Sequence, residues 1–276
     1  MKIIKALLFS LIYIGLYLII QLIFSGIFLG IMMASDSGRF TLDRNMLMEL
    51  AIKASVYSMP ICIIVTFLIY WLIFNIRKKN IFQALSLNKI KPSTILLIIG
   101  FTICFYPIVT ILAGILSTAF PSSSFNEIQD TFNDMFKVSA SFSVIYICIL
   151  GPTMEEIITR GLIFNEMKMS TNCLIAILVQ ACLFGIMHLN IVQGVYAFVL
   201  GIVYGLFRDK FNSLIIVIIC HIVHNSYSVL LDYLYEHIAI NDSIIIIVST
   251  IFLVVFSILL FFHWKKHYKP KHLYIS

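Results

Sequence analysis

The chain reads as an all-α protein, a polytopic transmembrane helical bundle of about eight spanning helices. Three observations predict that class. Of the 276 residues, 61% are hydrophobic and 12% charged, far from the balance of a soluble domain, and the mean hydropathy is +1.03. The apolar residues fall in runs long enough to cross a hydrocarbon core about 30 Å thick. The basic residues behind the net charge of +6 fall in short segments between those runs, where they set topology rather than form a nucleic-acid footprint.

Eight segments meet the length requirement, near 6–34, 51–76, 93–119, 139–165, 172–190, 191–207, 213–235 and 243–263. The first follows Lys2 and Lys5, but its apolar run exceeds a signal-peptide core of about 7 to 15 residues, and no small-residue cleavage site follows; it is expected to be an anchor. Between the second and third, residues 81–87 alternate apolar and polar between basic clusters, the pattern of an interfacial helix facing anionic lipid. Between the third and fourth, Pro121 and three serines mark a turn into an amphipathic stretch from Phe125 to Phe136, expected to lie on the membrane surface as an anchor rather than to bind substrate. In the fourth, Pro152 cannot donate to the preceding turn and predicts a kink, with Gly151 leaving room for a neighbour. The fifth and sixth run together at Leu189, Asn190 and Ile191, which demands a tight turn. With no internal repeat and no low-complexity tract, residues 1–276 form a single integral membrane domain.

Orientation follows from Lys and Arg placement. Lys2 and Lys5, five basic residues between Arg77 and Lys91, then Lys168, Arg208, Lys210 and the tail from Lys265 to Lys271 all fall on one side. The opposite loops hold Arg39, Arg44, Lys53 and Lys137 beside the acids Asp43, Glu127, Asp130, Asp134 and Asp242. Both termini are therefore expected in the cytoplasm of a cell-membrane protein, and richness in Ile, Lys and Asn points to an AT-rich bacterial genome. Five cysteines lie within apolar segments and Cys173 starts one, so neither a disulfide framework nor a Cys zinc site is indicated.

The apolar segments carry a few costly exceptions. A charge at the centre of a spanning helix costs about 2.5 to 3.5 kcal/mol, so Glu155, Glu156 and Arg160 would together weaken one segment by about 8 to 10 kcal/mol without partners or hydration. Glu156 and Arg160 are four apart, acid first, the favoured order for a helical ion pair. Glu155 points about 100° away and has no local cation, which makes it the carboxylate lacking a structural explanation. His188 follows Phe184 by one turn, and His221 and Asn225 again share a helix face. A polar pair of this kind alone serves helix association, at about 0.6 kcal/mol per bond. Convergence of one unpaired carboxylate, two histidines and an amide from three helices points instead to catalysis.

At residues 139–230 these motifs resemble the CPBP family of intramembrane endopeptidases, which includes CAAX-prenyl proteases and bacteriocin-processing or self-immunity proteins. The family pattern EExxxR, FxxxH, HxxxN stands here as Glu155-Glu156 to Arg160, Phe184 to His188, and His221 to Asn225. Thr159 departs from the aromatic residue that many members carry. The resemblance implies that Glu155 and His188 activate a water molecule, that His221 and Asn225 stabilise the oxyanion, and that Glu156, Arg160 and Phe184 support the site. It implies a membrane-associated peptide or protein as substrate within the lipid bilayer, in peptide maturation, bacteriocin processing or self-immunity, and no cofactor. Glu155, His188 and His221 also match a zinc ligand set with an open fourth position, the alternative reading, against which Asn225 argues as a donor that seldom binds zinc. The competing functions are a CAAX-type prenyl-protein protease, a non-catalytic immunity or scaffold protein, and a proton-coupled transporter, which the lack of inverted repeats disfavours.

Overall fold

The computed structural model describes residues 2–35, 44–123, 125–238 and 242–267, and no strand occurs among them. The chain runs through α1 (Lys2–Ser35), α2 (Arg44–Ile76), the short α3 (Ile81–Leu85), α4 (Pro92–Ala119), α5 (Phe125–Val138), α6 (Ala140–Lys168), α7 (Cys173–Met187), α8 (Ile191–Phe211), α9 (Leu214–His237) and α10 (Asp242–His267). The all-α bundle is as expected, but among the described residues seven helices rather than eight are long and apolar enough to cross a membrane. The exception is α7, whose 15 residues rise only about 22 Å against about 30 Å of hydrocarbon.

Local chemistry fixes both ends of α7. Asn172 caps it, its side-chain oxygen accepting from the Ile175 N–H at 2.9 Å. Beyond Met187 the backbone turns through Leu189, at φ 56°, and Asn190 caps α8 by accepting from the Gln193 N–H at 2.9 Å. This is the tight turn that the merged apolar runs required. It brings α7 and α8 together at Gly185 and Gly194, where a Cβ on Gly185 would meet the Gly194 carbonyl at 2.5 Å.

Several of the basic residues expected on the cytoplasmic side make contacts between helices. Arg77, just past α2, grips Glu166 of α6 with both terminal nitrogens, and Glu166 also accepts from the Tyr13 hydroxyl of α1 at 3.3 Å. Lys168 pairs with Asp209 at 2.6 Å, and the Trp264 indole of α10 donates to the Lys210 carbonyl at 3.0 Å. Arg39 and Asp43, counted with the opposite loops, and Lys269 and Lys271 of the tail lie outside the described residues, as does the side chain of Glu127. Outward faces are apolar, as on α10 at Ile247, Ile251 and Ile258, the surface a bilayer would cover.

The helix expected at the interface over 81–87 has two faces, and on one of them Phe82 and Leu87 are exposed. Ile81, Ala84 and Leu85 of α3 are buried in the bundle, and the Ser86 carbonyl accepts from the Leu214 N–H at 3.2 Å. On the buried face, Leu85 fills the space left by Gly161 of α6.

Candidate active site

The geometry of the site begins with irregular turns in α6. Residues Gly151–Glu156 are α-helical, but the flanking stretches Tyr146–Leu150 and Ile157–Ile163 are π-helical, a form concentrated at functional sites. The first wide turn follows from Pro152. In it the Gly151 N–H donates to the Tyr146 carbonyl, and Pro152 has no N–H, so neither supplies the Ile147 carbonyl. Asn225 of α9 does so, donating from Nδ2 at 2.9 Å. In the second, the Phe164 N–H goes to the Thr159 carbonyl, and the buried Arg208 of α8 donates from Nε to the Arg160 carbonyl at 3.1 Å. The kink expected at Pro152 is thus a widened turn, tied to a neighbouring helix by the site's own amide.

Glu156 and Arg160 form the expected i,i+4 ion pair, Arg160 Nη1 lying 2.8 Å from Glu156 Oε1, and both are fully buried. The guanidinium stacks over the Phe184 ring at 4.2 Å to the centroid and accounts for the position of that residue. Gly201 makes room for it: a Cβ there would lie 2.7 Å from Ala181 Cβ and 3.4 Å from Arg160 Nη2.

Glu156 does more than neutralise Arg160. Its Oε1 accepts from His221 Nδ1 at 2.9 Å, while His221 Nε2 lies 3.7 Å from Glu155 Oε2. Glu155 keeps 21% of its side-chain surface exposed where Glu156 keeps none, so the two adjacent acids divide as expected into one that faces open space and one locked in packing. His188 Nδ1 bonds the Phe184 carbonyl at 2.8 Å. A carbonyl only accepts, so that nitrogen carries the proton, and Nε2 of the neutral ring is an acceptor.

Glu155, Phe184, His188, His221 and Asn225 all line one cavity of about 870 Å³ inside the bundle, walled by α4, α5, α6, α7, α8 and α9. Several wall residues went unread in the sequence. Tyr106 on α4 and Gln193 and Tyr196 on α8 contribute polar groups, and α5 contributes Ile128, Gln129, Phe132 and Phe136. The reading of Phe125 to Phe136 as a surface anchor is corrected accordingly: its apolar stripe covers the cavity, and Gln129 Nε2 donates to Asp232 of α9 at 3.0 Å. The amphipathic pattern was visible, but it marks an apolar face without saying whether lipid or protein meets it. Among the described residues no three His, Cys, Asp or Glu side chains are grouped so as to hold a metal ion.

Residues 137–227 match the family model described as Rce1-like, type II CAAX prenyl endopeptidase Rce1-like. That segment contains all three motifs and bears out the resemblance to the CPBP and CAAX protease family. No curated protein and no solved structure matches the chain.

Proposed function

We propose that the protein is an intramembrane endopeptidase, hydrolysing a peptide bond of a membrane-associated peptide or protein with a water activated by Glu155 and His188. The observation that carries this reading is one cavity, enclosed by apolar helices, that takes in Glu155 of α6, His188 at the end of α7, and His221 and Asn225 of α9. Glu155, the acid with exposed surface, takes a proton from the water and returns it to the leaving amine, while the free Nε2 of His188 accepts from the same water. Asn225 spends one Nδ2 hydrogen on the Ile147 carbonyl, which fixes the amide and leaves the second hydrogen for the oxyanion. His221 donates from Nε2 only when doubly protonated, the form whose charge faces Glu155 on one side and Glu156 on the other. Glu156 and Arg160 position His221. The proposed mechanism needs no cofactor.

Peptide maturation or self-immunity in a bacterial cell membrane is the biological setting this chemistry suits. A prenylated substrate is the second reading, favoured by the family description and by apolar walls such as Val109, Ile128, Phe132 and Leu200.

The test is to sequence peptide N-termini in membranes of cells carrying the protein, Asn225→Ala or Asn225→Asp. New N-termini should depend on the wild type, and the alanine variant should form them about 10² to 10³ times more slowly, the cost of a lost oxyanion donor. Asn225→Asp should fall at least as far, because a carboxylate there repels the developing charge. Purified protein should hold substoichiometric zinc and keep its activity after strong chelation. If no N-terminus depends on the protein, the endopeptidase reading fails; zinc lost and regained together with activity would replace the metal-free mechanism.

A further inference from the structure

We infer that the start of α4 and the end of α10 form a binding site for the phosphate of an anionic phospholipid headgroup, built on Lys91, Lys266 and the two histidines beside them. On α10, His263, Lys266 and His267 stand at i, i+3 and i+4 and so share one face of its last turns. Two contacts bring α4 against that face: Thr94 Oγ1 lies 2.8 Å from His263 Nε2, and Lys91 Nζ lies 2.8 Å from His267 Nδ1. An ammonium only donates, so His267 Nδ1 accepts and the ring carries its proton on Nε2. The two imidazoles meet edge-on at 4.6 Å between centroids, which links the two contacts into one cluster.

Helix electrostatics account for one of the two lysines and not for the other. Lys266 sits in the last turn of α10, where a cation complements the helix dipole. Lys91 is the opposite case. It is the N-cap of α4, at the positive end of a 28-residue helix that no side chain caps, and it stands against a second basic residue instead of an acid. Among the described residues no carboxylate lies within 4.0 Å of Lys91 or Lys266. The acid at the adjoining end of α8, Asp209, is taken by Lys168 at 2.6 Å and stands 4.0 Å from Lys210. Cations gathered at an uncapped helix N-terminus are stabilised by a bound anion, for which Lys91, Lys266 and His267 Nε2 are the donors.

Position selects a lipid over a free anion. Lys91 and Lys266 are exposed, and just before them α10 turns Phe261 and Phe262 outward on the surface a bilayer would cover. Trp264 donates to the Lys210 carbonyl at 3.0 Å, an indole placed as at the headgroup level. A phospholipid seated here meets the cations with its phosphate while its acyl chains lie along α10; free phosphate gains only the charge. By the rule that basic loops stay in the cytoplasm, the site faces the inner leaflet.

Quenching of Trp264 by brominated lipid tests this. The chain has two tryptophans, so Trp71→Phe leaves Trp264 as the sole reporter. In phosphatidylcholine bilayers, dibrominated phosphatidylglycerol should quench it at a mole fraction at least about fivefold lower than dibrominated phosphatidylcholine needs, the scale set by one or more lysines at a charged surface. Lys91→Gln/Lys266→Gln should bring the two lipids within about twofold, while Lys91→Arg/Lys266→Arg, which keeps the charge, and Lys2→Gln/Lys5→Gln, which removes charge elsewhere, should keep the preference. Inorganic phosphate should relieve the quenching no more than chloride of equal ionic strength. Equal quenching by the two lipids, or a preference that survives Lys91→Gln/Lys266→Gln, would overturn the inference. An equal loss in Lys2→Gln/Lys5→Gln would also overturn it in favour of diffuse attraction, and specific relief by phosphate would replace the lipid with a free anion.

Discussion

Glu155→Gln should lower the cleavage rate by about 10² to 10⁴, the span a positioned general base contributes, while leaving insertion and thermal stability close to wild type. Glutamine keeps the size of the side chain and removes its basicity. The change is structurally mild because Glu155 sits partly open to the cavity, with His221 Nε2 at a loose 3.7 Å. The ion pair that holds the region together belongs to the next residue. Michaelis parameters separate the outcomes: a base acts in the chemical step, so kcat should fall with little change in KM. Full cleavage of a validated substrate by Glu155→Gln would end the glutamate-base mechanism.

Arg160→Leu should produce the largest loss of stability, about 3 to 5 kcal/mol, the usual cost of stranding one partner of a buried ion pair. Glu156 would remain fully buried with its cation gone. The pair itself is imperfectly satisfied, since among the described residues Glu156 Oε2 and Arg160 Nε and Nη2 have no hydrogen-bond partner, so an apolar replacement of both is expected to recover much of the loss. Thermal melts in detergent should accordingly rank the Glu156→Leu/Arg160→Met double variant well above Arg160→Leu. The double variant should nevertheless remain poorly active, because His221 Nδ1 loses the carboxylate that orients it. Recovery of stability together with full activity would show that the pair is there only to fold the protein; failure of the double variant to regain stability would show that the cost lies in packing rather than stranded charge.

The reach of the sequence is clearest within single helices. The four-residue step from Glu156 to Arg160 predicted a contact that is 2.8 Å long, and the missing N–H of Pro152 predicted a break in α6. Both are local: helical periodicity and the donor inventory of the backbone decide them. The separation of Glu155 from Glu156 was legible for the same reason, as a difference of about 100° around one axis. The shortness of α7 escaped because apolar residues continue across the turn at Leu189, and hydropathy does not register a positive φ. Other features depend on how helices rotate against one another. The bond from His221 to Glu156 joins residues 65 apart, and that from Asn225 to Ile147 joins residues 78 apart. Spanning helices that are apolar all round carry no polar face to announce which side meets protein and which meets lipid, so composition leaves their rotation open. The amphipathic α5 shows the same limit from the opposite direction. Its apolar stripe was plain in the sequence, yet only the packing of the bundle turned that stripe toward the cavity, because lipid tails and a protein interior attract an apolar surface alike.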